Sequence, residues 1–179
     1  MFHKFNNEFI QYTRVLSLTE KPNNILMWGH YAQSHSGFVI EFDKDSSFFH
    51  QRRSNKDEYG FLRKVIYQRE LPNNDPYSTE QLVNHFLTKS LDWEYECEWR
   101  MLLVSLDAYK KININDKIFD LYPFPSSAIK NIILGCNISK KLRDSIEDII
   151  SNRKDYEHVN ILQASRSTHN FEIIIDEYR

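Results

Sequence analysis

"IKNIILGCNISKKLRDSIEDIISNRKDYEHVNILQA", residues 129–164, sets the fold class. Its first part, "IKNIILG", is a short, nearly continuous apolar run rich in β-branched residues, which is the pattern of a strand buried on both faces. Ser139 then stands where a helix N-cap belongs, ahead of the periodic "KKLRDSIEDIISNR". "HVNILQA", 158–164, returns to strand, and "FEIIIDEY", 171–178, supplies another. A strand, helix, strand order with a connection of this length allows a right-handed parallel crossover.

The pattern extends towards the N-terminus. "RVLSLTE", 14–20, alternates weakly and reads as a strand. "KPNNILMWGHYAQ" reads as a short helix capped by Asn23 or Asn24, with Leu26, Met27, His30 and Tyr31 sharing a face and Gly37 as the stop. "FVIEFD", 38–43, is a strand with Phe38, Ile40 and Phe42 on one side and Val39 and Glu41 on the other. "SSFFHQRRSNKDEYGFL" reads as a polar loop, and "RKVIYQRE", 63–70, as a strand. After the punctuating "LPNNDPYS", Ser78 and Gln81 fit a capping box that opens a helix running to about Tyr95, with Leu82, Phe86, Leu87 and Leu91 as its stripe. "EWRMLLVSL", 98–106, is apolar on both faces from Met101 and reads as a central strand. The expectation is an α+β (mixed α/β) fold in one domain, 1–179, with a central mixed sheet of roughly six strands and about three helices.

Composition excludes several classes. The chain has 179 residues, a net charge of −2, 41% hydrophobic and 14% aromatic residues, and only 4 Gly and 5 Pro, so it is neither disordered nor low-complexity. Nearly balanced charge argues against a nucleic-acid-coating protein, and the basic runs at 51–56 and 140–143 read as solvated faces. Cys97 and Cys136 form no CxxC and read as reduced, mostly buried thiols. No apolar run approaches the ~20 residues of a membrane helix, and the N-terminus carries no signal-peptide core, so a cytoplasmic protein without a membrane partner is expected.

Two dense clusters carry candidate chemistry. In "KSLDWEYECEWR", 89–100, Glu94, Glu96 and Glu98 alternate with Trp93, Tyr95, Cys97 and Trp99 across a helix-to-strand junction. Neighbouring carboxylates can serve acid–base work, hold a hard cation, or engage a ribose. They can equally be structural, with Glu94 solvated and Glu96 and Glu98 ion-paired to Arg100, Lys89 or Arg63. In "NNILMWGHYAQSHSGFVIEFD", 23–43, His30 and His35 are five apart, without the i,i+4 spacing of a zinc helix, and no metal site is expected. Trp28 and Tyr31 can stack on a ring or pack in the core. GxSxG, P-loop and GxGxxG motifs are absent.

Together the clusters resemble the bacterial domain-of-unknown-function family 2971. The first motif falls on Asn24, Met27, Trp28, His30, Tyr31, His35, Gly37, Phe42 and Asp43, and the second on Lys89, Trp93, Glu96, Glu98, Trp99 and Arg100. "IKNIILGCNIS" and "NILQASRSTHNFEIII" look like the family's C-terminal strands. The resemblance implies a short form lacking the family's usual N-terminal part: a short member, a truncated gene product, or one half of a split arrangement in which a protein partner supplies that part. Glu96-Cys97-Glu98 further resembles the E-x-E run of ADP-ribosyltransferases. That implies an NAD-using enzyme, toxin- or defence-related, with Glu98 as the catalytic carboxylate, Glu96 its helper, and His30 or Arg14 as the basic group. Tyr31, Trp28, Arg100 and Lys89 would then bind the cofactor. Two alternatives stay open: a non-catalytic binding module whose motifs are structural, and a Mg²⁺-dependent nuclease using Glu94, Glu96 and Glu98.

Overall fold

The computed structural model describes residues 9–72 and 78–178; the centre of the "LPNNDPYS" punctuation, Asn73–Tyr77, lies outside them. The described residues form two compact units: one from residues up to Glu20 with Ser47–Phe124, the other from Lys21–Ser46 with the residues from Pro125 onward. The α+β class holds, but the strands are divided among several sheets in place of one central sheet. Short strands that end at chain bends pair with whichever neighbour the bend delivers, and such bends are not visible as periodicity. No helix among the described residues is long and apolar enough to cross a membrane.

The second unit realises the strand–helix–strand reading. Strands β2 (Phe38–Phe42), β9 (Ile129–Leu134), β10 (Asn160–Arg166) and β11 (Ile173–Glu177) form a sheet in the order β11-β10-β9-β2. β9 and β10 are parallel, joined through α3 (Lys140–Asn152), whose first turn is capped by the Ser139 hydroxyl accepting from Leu142 N. β9 is buried at every position except Lys130, because both of its faces are covered. Ile133 packs with Trp28, Ala32, Ala164 and Ile173 on one face, while Ile132 and Leu134 pack with Ile146 and Val159 on the other.

The helix α1 (Ile25–Tyr31) starts at Asn24, whose side chain accepts from Leu26 N and Met27 N. Its buried stripe is Trp28 and Ala32, one turn apart, and not the Leu26–Met27–His30–Tyr31 face; Leu26 is 48% and Tyr31 62% exposed. The helix then stops in three successive left-handed residues, Gln33, Ser34 and His35 (φ 50°, 53° and 66°).

The first unit is built on β1 (Thr13–Thr19), β3 (Leu62–Lys64) and β6 (Glu98–Val104), antiparallel in the order β1-β6-β3. β6 is central, as its apolar run requires, with Met101 and Leu102 wholly buried. The strand expected over 63–70 is broken at Val65. β3 pairs with β6, whereas β4 (Ile66–Gln68) pairs in parallel with β5 (Thr88–Ser90).

α2 (Thr79–Leu87) begins at Ser78, which accepts from Gln81 N, but ends at Leu87 rather than near Tyr95. Beyond it, Thr88–Ser90 is extended and Leu91–Glu96 is a 3₁₀ segment. Ladder bonds to β4 and packing of Val83 and Leu87 on Leu102 override the helical periodicity of the downstream residues. Phe48 and Phe49, in the stretch read as a polar loop, form a short 3₁₀ turn and are buried. β7 (Lys110–Ile114) and β8 (Lys117–Leu121) make a hairpin. Its two turn residues, Asn115 and Asp116, both have positive φ, the geometry that Asn and Asp tolerate in a tight two-residue hairpin loop.

Candidate functional site

The "DWEYECEWR" cluster becomes one ionic network inside the first unit. The 3₁₀ segment carries Glu96 inward, Cys97 turns the chain through a left-handed conformation (φ 45°), and Glu98 opens β6. Both glutamates therefore meet Lys89, which β5 presents. Lys89 Nζ bonds Glu96 Oε2 and lies 3.2 Å from Glu98 Oε2. Arg100 grips Glu98 with both arms of its fork, Nε to Oε1 at 2.8 Å and Nη2 to Oε2 at 2.9 Å. Its third nitrogen donates to the carbonyl of Phe86 at 2.7 Å, satisfying a free acceptor at the end of α2. The side chains of Glu96 and Glu98 are only 2% and 8% exposed.

The surroundings reinforce the charges. Glu98 N donates to the Tyr67 hydroxyl at 2.7 Å, and Lys89 lies 5.0 Å from the Trp93 ring centroid. Burial opposes ionisation of Glu98, but hydrogen bonds from Arg100 and Ser17, with the charges of Arg100 and Lys89, outweigh it and hold its pKa below the ordinary carboxylate value. Burial likewise opposes the charge on Lys89, yet its bonds to Glu96 and Glu98 raise its pKa. The Tyr67 phenol is pushed up chiefly by burial, against the lowering effect of its bond from the Glu98 amide. The network thus sets two carboxylates against two cations inside one unit. Glu94, the third carboxylate of the run, is exposed and stands apart. Among the described residues no three His, Cys, Asp or Glu converge as metal ligands.

The residues singled out from the first motif lie in the second unit. Trp28 is 2% exposed, donates its indole N–H to the Pro22 carbonyl at 2.6 Å, and lies parallel to the His35 ring, centroids 6.5 Å apart. His30 and Tyr31 are exposed and meet edge to face. The structure therefore brings Lys89, Glu96, Glu98 and Arg100 together in one unit and Trp28, His30 and Tyr31 in the other. Cys97 and Cys136 are free and partly buried.

A second charged cluster in the first unit escaped the sequence reading. Asp120, with a side chain 1% exposed, meets Arg14 Nε at 2.8 Å, Lys111 Nζ at 3.3 Å and the Ser105 hydroxyl at 2.5 Å. The Ser105 bond, followed by Lys111 and the charge of Arg14, holds its carboxyl below the usual value against burial. No local spacing announces this group, nor Tyr67, because their partners are distant in the chain. A cavity of about 1140 Å³ is lined by residues of the second unit, including Arg143, Gln163, Arg166, Asp176 and Tyr178. Its charges are mixed and its arginines already donate to Gln163 and Asn137.

Residues 27–101 match the family described as a protein of unknown function, DUF2971. This is the family that the two motifs resemble, and the matched span holds Trp28 through Asp43 and Lys89 through Arg100. It begins in the second unit and ends in the central strand of the first. No curated protein and no solved structure matches the chain.

Proposed function

We propose that the chain is a non-catalytic binding module in which the Trp-Glu-Arg motif is an internal ionic clasp. The observation that carries this reading is the occupancy of the carboxylates. Glu96 and Glu98 are buried, and their cation partners Lys89 and Arg100 come from the same unit. A catalytic carboxylate has to reach its substrate, whereas these tie β5, β6 and the end of α2 to one another. Truncating one member of such a set leaves an uncompensated buried charge, the signature of a structural role.

A second reading is an NAD-using, ADP-ribosyltransferase-like enzyme with Glu98 as its catalytic carboxylate. One feature favours it: Glu98 is kept ionised and fixed in place, the state that stabilises an oxocarbenium-like centre. Isothermal titration with NAD and an assay of nicotinamide release, on wild type and Glu98→Gln, separates the two. The binding-module reading expects no nicotinamide from either protein and a less stable variant. Release by the wild type that disappears in a folded Glu98→Gln overturns it.

A further inference from the structure

The hairpin β7–β8 leaves one apolar face accessible, bracketed by two lysines. In its antiparallel register, Lys111 and Asn113 share a face with Asp120 and Ile118, while Lys110, Ile112 and Ile114 share the other with Leu121, Phe119 and Lys117. The first face is anchored through its charges: Asp120 is the buried residue, held by Lys111, Arg14 and Ser105. The rest of that face is exposed, Ile118 at 69%, and on the second face only Ile112 is half-buried. Ile114 is 50%, Phe119 45% and Leu121 40% exposed, and both lysines are exposed. An ordinary surface hairpin buries its apolar side, so the accessible Ile114, Phe119 and Leu121 beside Ile112 call for something to cover them.

The charge pattern says what. The second face has three rows, Lys110 with Leu121, Ile112 with Phe119, and Ile114 with Lys117, so the lysines occupy diagonally opposite corners around four apolar side chains. It contains no acidic residue, and among the described residues neither Lys110 nor Lys117 has an ion-pair partner. A second copy laid on this face brings no carboxylate to it, so each lysine would be covered by an apolar group or another lysine, at a desolvation cost without return. Both outer edges of the two-stranded sheet also lack a ladder partner among the described residues, which leaves backbone groups for strand addition.

We propose that the apolar face and edge of the β7–β8 hairpin dock an extended acidic–apolar segment of a partner protein, with carboxylates meeting Lys110 and Lys117 and apolar side chains lying against Ile112, Ile114, Phe119 and Leu121. This rests on the binding-module reading and names its partner.

The test uses the full chain and two short synthetic strand peptides, one with Glu bracketing alternating Ile and Thr, the other with Lys in place of Glu. Fluorescence anisotropy is expected to give at least about tenfold tighter binding of the acidic peptide, the discrimination that two exposed charge pairs can supply. The preference should reverse in the Lys110→Glu/Lys117→Glu variant, and binding should be lost in Phe119→Ser, with circular dichroism and melting temperature unchanged. Equal binding of both peptides, or a preference untouched by charge reversal, overturns the proposal. So does sedimentation with phosphatidylserine-containing vesicles, or a concentration-dependent dimer, that Phe119→Ser abolishes while the peptides are not discriminated. None of these failures touches the binding-module reading, whose own test is nicotinamide release together with the stability of Glu98→Gln.

Discussion

Replacing Glu98 by Gln is the sharpest perturbation of the clasp. The change keeps shape and one acceptor but removes the charge that faces Arg100 and Lys89. Lys89 retains Glu96, whereas Arg100, 16% exposed at its side chain, keeps the Phe86 carbonyl and one neutral amide acceptor in place of a bidentate carboxylate. Breaking a buried pair from one side costs about 3–5 kcal/mol. The retained acceptor puts this case at the low end, about 3 kcal/mol, which for a chain of this length lowers the melting temperature by roughly 6–12 °C.

The loss should carry a pH signature. Glu98 has a depressed folded pKa, so its contribution is present above the unfolded carboxylate value and disappears as pH falls through the folded one. Lys89, with a raised pKa, contributes at every pH below its unfolded value and is lost only as pH rises through its folded one, so it does not distort the acid limb. Urea unfolding followed by circular dichroism should therefore show the wild-type advantage near neutrality and its shrinkage below about pH 4. A companion double variant, Glu98→Gln with Arg100→Met, should recover part of the loss because the orphaned cation is gone. A variant within about 0.5 kcal/mol of wild type, or a loss that does not change with pH, would refute the clasp.

Trp28→Ala should cost about 3–5 kcal/mol, seen in thermal unfolding, because the indole is buried and its N–H is satisfied by Pro22. Gly135→Ala should destabilise, since its new methyl would sit 2.3 Å from the His35 carbonyl oxygen and 2.6 Å from that of Gly37. Gly29→Ala, where nothing lies within 4 Å, should instead raise stability by about 0.5–1 kcal/mol in the same melts. Asp120→Asn should flatten the acid limb of the stability curve, because a depressed carboxyl contributes above its unfolded pKa and loses that contribution on acidification.

What the sequence made legible was local. The caps at Asn24, Ser78 and Ser139 formed as read, because a side-chain oxygen one residue ahead of a helix needs no tertiary help. The central place of β6 and the buried β9 followed from apolar residues on both faces. The structural reading of "ECEWR" was present as an option, since the cations Lys89 and Arg100 flank the glutamates in the chain. What failed was long-range. The helix after Leu87 gave way to a parallel pairing with β4, and the strand over 63–70 split at Val65 between two sheets. On α1 the residues sharing a face were read correctly, but which face would meet the sheet is decided by the docking of Trp28 and Ala32 against β9 and β10. Asp120 found Arg14 across more than a hundred residues, a pairing that no window of sequence contains.

The left-handed turn after α1 gives its motif a different meaning. Its carbonyls do the work: Ser34 O accepts from the Asn137 side chain, His35 O from Asn137 N at 2.9 Å, and Gly37 O from Gly135 N at 3.0 Å. Main-chain oxygens are indifferent to the side chains they carry but not to their place along the chain. "QSHSG" is therefore a measured length of backbone, a ruler between helix and strand. Exchanging Gln33 for Asn, which tolerates the left-handed conformation, should matter little there, while adding or deleting one residue would move three acceptors out of reach together.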